Sequence, residues 1–426
     1  MKLKVTIMGN DSPTYALQKA LAITRTPALL DSVVEIYMGE NTMSHLNARG
    51  QIIYKTHYLL LPAITILVKA IPAMQQLHTV HLVRMSVSRM ELYSILSSPR
   101  LIHLILDGVR ILKLNKFPPL KLCKLTLIAM SSWEGVEPLI GQLATSLEYL
   151  ELRCCRFRTL RPSQLPPFPR LRELRHRQGC LHDTFNSASG MGELLQLGTQ
   201  ITHLYFSESF GYVHAATFPK SLRHLSVDVW VLTEHNFGAC ILHGLLSLSV
   251  RHCVLDKGLR GWGDIRLLHS LIYDCFPGIT SLQLHIPWPN RNIAMAIARF
   301  QRNVQLLNLV IDTASGLHHE EKEPTRLDQW GDIPAAYICG SIMPGPLQSL
   351  WLEVTQTRDD LGLSVAPCTQ WVESEVLPPV ISVGGPNLNS IDVLFIQPES
   401  KVARERVLRR EWVKSNTGNW EIDDSL

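Results

Sequence analysis

One phrase, Leu-x-x-Leu-x-Leu or an apolar equivalent, returns twelve times between residues 77 and 393, and nothing else in the chain restricts its folding as much. The first copies are Leu77-Val80-Leu82, Leu101-Leu104-Leu106, Leu122-Leu125-Leu127 and Leu147-Leu150-Leu152. Leu171-Leu174-His176, Ile201-Leu204-Phe206, Leu222-Leu225-Val227 and Leu245-Leu248-Val250 follow. The last are Ile279-Leu282-Leu284, Val304-Leu307-Leu309, Leu347-Leu350-Leu352 and Leu388-Ile391-Val393. Their opening residues step by 24, 21, 25, 24, 30, 21, 23, 34, 25, 43 and 41. Seven steps lie within the range of roughly 20–29 residues typical of one class of stacked repeat, and the other four read as repeats carrying inserted loops.

Matching the phrase is not sufficient evidence. In a chain that is 46% hydrophobic, three apolar residues at fixed offsets arise by chance at about one site in ten. The punctuation is harder to obtain by accident. Pro99, Pro169, Pro277 and Pro386 each stand two residues before an opening residue, and Pro119, Pro219 and Pro346 stand one to three ahead. A proline there stops what precedes it and biases its neighbour toward extended backbone. Helical stretches lie between the strands. Ser88-Arg89-Met90-Glu91 has the form of a capping box leading into Leu92, Ile95 and Leu96, and Asn290 is placed to cap a helix over Arg291 to Arg302.

Strand and helix alternating in every repeat predict an α/β leucine-rich-repeat solenoid, a horseshoe with parallel strands on the concave face and helices on the convex face. No repeat buries its apolar side alone, so both ends need covers. The expected organisation is a mainly helical N-terminal cap over 1–76, a solenoid of about twelve irregular repeats over 77–395, and a charged cap helix and tail over 396–426. Within the first region, Ser12-Pro13 starts a helix continued by Ala16, Leu17, Leu21 and Ile23, and Val33 to Met38 reads as a first, degenerate repeat strand. At the other end, Val402, Leu408 and Trp412 supply an apolar face for the last repeat.

Composition narrows the class. A net charge of +4 and an isoelectric point near 8.5 argue against a dedicated nucleic-acid partner. The most apolar stretch, Tyr58 to Val68, contains Pro62 and stops at Lys69, short of the about 20 residues a bilayer span requires, so no membrane partner is expected. The nine cysteines form no C-x-x-C pair and no terminal cluster, which reads as a reduced, cytoplasmic or nuclear chain. Cys155 and Cys253 share the position just after a repeat strand, where a small apolar side chain packs in the turn.

The motif leucines point inward, so the residues between them project from the opposite face. Between the second and third motif residues runs the column His81, Ile105, Thr126, Glu151, Arg175, Tyr205, Ser226, Ser249, Gln283, Asn308, Trp351 and Asp392. Its central part is rich in the residue types that anchor protein interfaces. Tyr149, Glu151, Arg153, Glu173, Arg175, Arg177, His203, Tyr205, His224 and Asp228 are expected to share one patch of four neighbouring strands and to hold a protein target. The alternative is a solvated face whose glutamates offset its arginines. No catalytic motif, metal site or cofactor site is expected: H-E-x-x-H, G-x-S-x-G, P-loop and dinucleotide fingerprints are all absent from the sequence. His318-His319-Glu320-Glu321 sits in a charged insertion and reads as a polar loop, because adjacent residues rarely face a single ion.

The strand entries have a style of their own: Thr145 to Leu152, Phe168-Pro169-Arg170-Leu171, Phe218-Pro219-Lys220-Ser221-Leu222 and Phe276-Pro277-Gly278-Ile279. In this the chain resembles the irregular leucine-rich-repeat proteins of the F-box type, especially those of mushroom-forming fungi, from about residue 30 to 395. The resemblance implies the substrate-receptor subunit of a cullin-type ubiquitin ligase, in which repeats hold the target and an N-terminal F-box docks a cullin-ligase linker protein. The Leu-Pro-x-Glu opening of that F-box is not found in residues 1–50, and the expectation is a chain that begins after such a motif.

Overall fold

The structure, a computed structural model, describes residues 2–9, 11–39, 57–112, 121–130, 135–153, 165–177, 188–207, 218–228, 241–251, 253–254, 263–264, 275–287, 304–312, 347–355, 373, 387–398, 405–415 and 419–422. The chain divides into two compact units, Met1–Val213 with Thr217–Ser221, and Leu222–Leu426 with His214–Ala216. Each is a parallel leucine-rich-repeat sheet.

In the first unit the strands are β1 (Leu3–Met8), β2 (Val33–Gly39), β3 (Thr79–Val83), β4 (Ser86–Val87), β5 (His103–Asp107), β6 (Arg110–Ile111), β7 (Lys124–Ile128), β8 (Tyr149–Arg153), β9 (Glu173–Arg177) and β10 (His203–Ser207). Apart from the short pair β4 and β6, they lie side by side in chain order, every pairing parallel. The motif residues land where period two requires: Leu104, Leu106, Leu125, Leu127, Leu150, Leu152, Leu174 and Leu204 are all buried on the inner face. Helices pack behind them: α1 (Pro13–Arg25), α2 (Pro27–Leu30), α3 (His57–Ala70), α4 (Arg89–Leu96), α5 (Val136–Leu143) and α6 (Ala188–Leu197).

Local chemistry sets these boundaries. The Ser12 hydroxyl accepts from the Tyr15 N–H at 3.2 Å, with Pro13 in the first turn of α1. The capping box of α4 is complete: the Glu91 N–H donates to Ser88 Oγ at 3.3 Å and the Ser88 N–H donates to Glu91 Oε2 at 2.8 Å. Leu92, Ile95 and Leu96 then face the core.

The recurring prolines prove to be more specific than helix stops. The N–H of Leu171 donates to the carbonyl of Phe168 at 3.3 Å, that of Ile279 to Phe276 at 3.3 Å, and that of Leu101 to Ser98 at 3.4 Å. Each proline therefore occupies the second position of a four-residue turn, where its fixed φ is already correct. The phenylalanine opening two of these turns is buried, Phe168 fully and Phe276 almost so. Hydroxyls one residue before an opening leucine tie consecutive repeats together: Ser146 Oγ donates to the Leu122 carbonyl and Ser221 Oγ to the Ile201 carbonyl, both at 2.8 Å.

The parallel sheet starts earlier than the repeat phrase does. β1 pairs with β2 over Leu3 to Met8, so two strands of the sheet precede residue 77. Only glycine fits at the end of β2. Gly39 has φ of 137°, and a Cβ there would stand 1.9 Å from the Val83 carbonyl oxygen.

The second unit holds β11 (His224–Asp228), β12 (Ser247–Arg251), β13 (Cys253–Val254), β14 (Gly263–Asp264), β15 (Ser281–Pro287), β16 (Leu306–Asp312), β17 (Ser349–Thr355), β18 (Ser390–Pro398), β19 (Glu405–Lys414) and β20 (Trp420–Ile422). β11, β12, β15, β16, β17 and β18 are parallel in that order. β19 and β20 are antiparallel additions, which corrects the expected C-terminal cap helix. Trp412 is buried opposite Ile391 on β18, so it covers the last repeat as expected, but from a strand. The four-residue spacing of Leu408 and Trp412 places both on one face of a helix and equally on one face of a strand. The unsatisfied backbone edge of β18 decides in favour of the strand. The helix expected over 291–302, Cys154, Cys155 and the His318–Glu321 loop lie outside the described residues.

Candidate binding face of the first unit

Three rows of side chains run across the outer face of the first unit, set by parallel register. The middle row reads Thr6, Tyr37, His81, Ile105, Thr126, Glu151, Arg175, Tyr205. On one side of it lie His103, Lys124, Tyr149, Glu173 and His203, and on the other Asp107, Ile128, Arg153 and Arg177. Eight of the ten candidate residues, Tyr149, Glu151, Arg153, Glu173, Arg175, Arg177, His203 and Tyr205, thus stand on the adjacent strands β8, β9 and β10. His224 and Asp228 are on β11, in the second unit.

Glu151 organises this patch. Arg153 Nε donates to its Oε1 at 2.6 Å, the Tyr149 hydroxyl donates to its Oε2 at 2.7 Å, and Arg177 Nε lies 3.5 Å from Oε1. Its side chain is only 3% exposed, although the alternation of the strand puts it on the solvent side. The longer side chains around it fold over it. Burial pushes its pKa up, but the hydrogen bonds from Arg153 and Tyr149 and the charges of Arg153 and Arg177 outweigh burial, and the net result is a lowered pKa. The Tyr149 hydroxyl is driven the other way, raised by burial and by its bond to Glu151.

Arg175 forms a second cluster beside the first. Its Nε donates to Glu173 Oε1 at 2.6 Å, and its guanidinium lies 4.3 Å from the centre of the Tyr205 ring and 5.6 Å from that of Tyr149. The result is an amphipathic platform in which one guanidinium lies over two rings. His203 Nδ1 is 2.9 Å from the Thr202 hydroxyl at the edge of this group.

Two expectations need correction. Facing outward did not mean being exposed: Glu151 and Asp228 are buried, as is Thr126. Asp228 is fully covered and sits 3.3 Å from Arg251 Nε, its register neighbour on β12, so it acts within the second unit's own face. Sequence reasoning also overlooked Lys124 and His103. They continue the row of Tyr149 onto β7 and β5, and His103 Nε2 is 2.9 Å from the Thr126 hydroxyl. Their signal was the first outward position of each strand, one residue before the second motif leucine.

On the other side of β9, His176 takes the third motif position and is fully buried next to Leu152 and Phe206 in register. Desolvation pushes its pKa down to about 3, so it packs as a neutral core residue. Among the described residues no group of three or more His, Cys, Asp or Glu is placed to hold a metal ion, and no helix is long and apolar enough to cross a membrane.

No protein-family model matches the chain, and no curated protein matches it. Among solved structures it is similar to an internalin (inlF) from Listeria monocytogenes at 12% identity and a TM-score of 0.31, covering 86% of this chain and 94% of that one. The fold assignment rests on the chain's own repeats and strand order.

Proposed function

We propose that the chain is a non-enzymatic scaffold that recognises a protein partner through the outer face of β8, β9 and β10. The observation carrying this reading is the Tyr149–Arg175–Tyr205 platform set beside the Arg153–Glu151–Arg177 cluster. Tyrosine and arginine dominate interface energetics because they offer broad contact area with directional polar ends. Here their partners also hold them in place before binding, which lowers the entropy lost on association. The expected test result is that Arg175→Ala combined with Tyr205→Ala removes the partners crosslinked to the full chain in cells while leaving its circular dichroism unchanged. Undiminished crosslinking would rule out this face.

The finer reading is the target-binding part of an F-box-type ubiquitin-ligase receptor, working in the cytoplasm or nucleus. Its support is the resemblance of the Phe-Pro strand entries at Phe168, Phe218 and Phe276. Co-elution of the full chain with purified cullin-ligase linker protein on size exclusion would mean that residues 1–76 hold a divergent F-box and would support the adaptor reading. Separate elution would leave a free-standing leucine-rich-repeat interaction protein with no ubiquitin link.

A further inference from the structure

The charge arrangement of the patch says more about what it would bind. Arg153 and Arg177 are register partners on adjacent strands, so their backbones are about 4.8 Å apart and their side chains leave the sheet side by side. Both reach solvent, Arg153 being 41% and Arg177 48% exposed, while the carboxylate they share is covered. The two half-exposed guanidinium groups stand over one covered carboxylate and present N–H donors and positive charge to solvent, which suits a carboxylate. Lys124, exposed on β7, adds positive potential nearby, and the carboxylates of this region, Glu151 and Glu173, are already engaged by arginines. Directly alongside, the Arg175–Glu173 pair balances its own charge and the Arg175 guanidinium lies over the partly exposed Tyr205 ring.

We infer that the partner's recognition element is an acidic peptide segment, with one aspartate or glutamate carboxylate lying across Arg153 and Arg177 and a neighbouring aromatic or aliphatic side chain on the Tyr205–Arg175 platform. This rests on the recognition role proposed for the same face. A planar carboxylate suits paired guanidinium groups because each contributes N–H donors in one plane. Glu151 acts as a positioning residue: its hydrogen bond from Arg153 Nε and its ion pair with Arg177 set where the two forks point.

The experiment is panning of a displayed library of random twelve-residue peptides against the immobilised full chain, followed by anisotropy with resynthesised hits. The expected enrichment is for peptides carrying Asp or Glu next to an aromatic or aliphatic residue. Replacing that acid by Asn or Gln, or using Arg177→Gln, should each weaken binding by roughly tenfold, with little further loss when the two are combined. Arg177→Gln keeps Arg153 on Glu151, so the sheet is expected to stay intact, to be checked by circular dichroism. Arg177→Lys, which retains charge without the fork, should recover part of the affinity. Enrichment of neutral or basic peptides that depend on Tyr205 would overturn the acidic inference and leave the recognition role standing. No Tyr205-dependent enrichment at all would overturn both.

Discussion

Two buried polar side chains sit almost back to back on β8 and β9, and the sheet treats them in opposite ways. On the outer face Glu151 remains an anion, because Arg153, Arg177 and Tyr149 surround its carboxylate with donors and charge. On the inner face His176 is held neutral between Leu152 and Phe206, because desolvation pushes its pKa down. Burial sets the cost of a charge in both places. What differs is the chemistry of the neighbours, and this decides which protonation state folds. A repeat protein can therefore keep a rigid charged cluster within one sheet thickness of its apolar core.

The comparison breaks most decisively at Glu151. Glu151→Ala would leave two half-exposed arginines without their shared anion and the Tyr149 hydroxyl without its acceptor, at a cost of roughly 1–3 kcal/mol. The urea midpoint of the full chain should fall accordingly. A midpoint within error of wild type would mean that the cluster is solvated and holds nothing in place.

The next test concerns His176 and acid. Its folded pKa of about 3 lies below the ordinary histidine value, so in acid the unfolded chain takes up a proton that the folded chain refuses. Stability is unaffected by this group at neutral pH and is lost as pH falls from about 6.5 toward 3, by at most about 1.4 kcal/mol per pH unit. His176→Leu, which restores the repeat phrase, should flatten the decline of the melting temperature between pH 6 and 4.5. His81, pushed down to about 4 mainly by burial, and His103, also lowered, will leave a residual slope. An unchanged slope in His176→Leu would show that the imidazole is already solvated.

Glu151 contributes in a lower window. Because its pKa is lowered, its contribution is present above the ordinary carboxylate range and is lost as pH drops through the folded value. Glu151→Gln should thus be destabilised at pH 7 yet converge with wild type in strong acid. The smallest expected change is at Glu173, whose side chain is 25% exposed and paired with a partly exposed Arg175. Glu173→Ala should cost less than about 1 kcal/mol. A loss comparable to that of Glu151→Ala would erase the distinction between the covered and the solvated half of the patch.

Much of this was legible from the chain alone. The repeat phrase placed the inward residues of the twelve repeat strands between β3 and β18, and the local signals at Ser12 and Ser88 marked two helix starts, because caps are satisfied by residues three positions away. The candidate patch was legible as a set of outward positions on β8, β9 and β10. Its internal order was not. That Glu151 is covered depends on side chains from a neighbouring repeat, here Arg177, closing over it, and such contacts have no local signature. The same holds for the antiparallel β19 and β20, whose sequence fits either regular structure until an open strand edge is there to pair with.

The sequence by itself determined the parallel leucine-rich-repeat architecture, because period-two alternation and turn prolines act within a few residues and recur in each copy. Only the tertiary structure decided which outward groups carry exposed charge and which are buried, where the sheet begins and how it ends. Those outcomes depend on what neighbouring strands bring alongside, and solvation and pairing energies are properties of that juxtaposition.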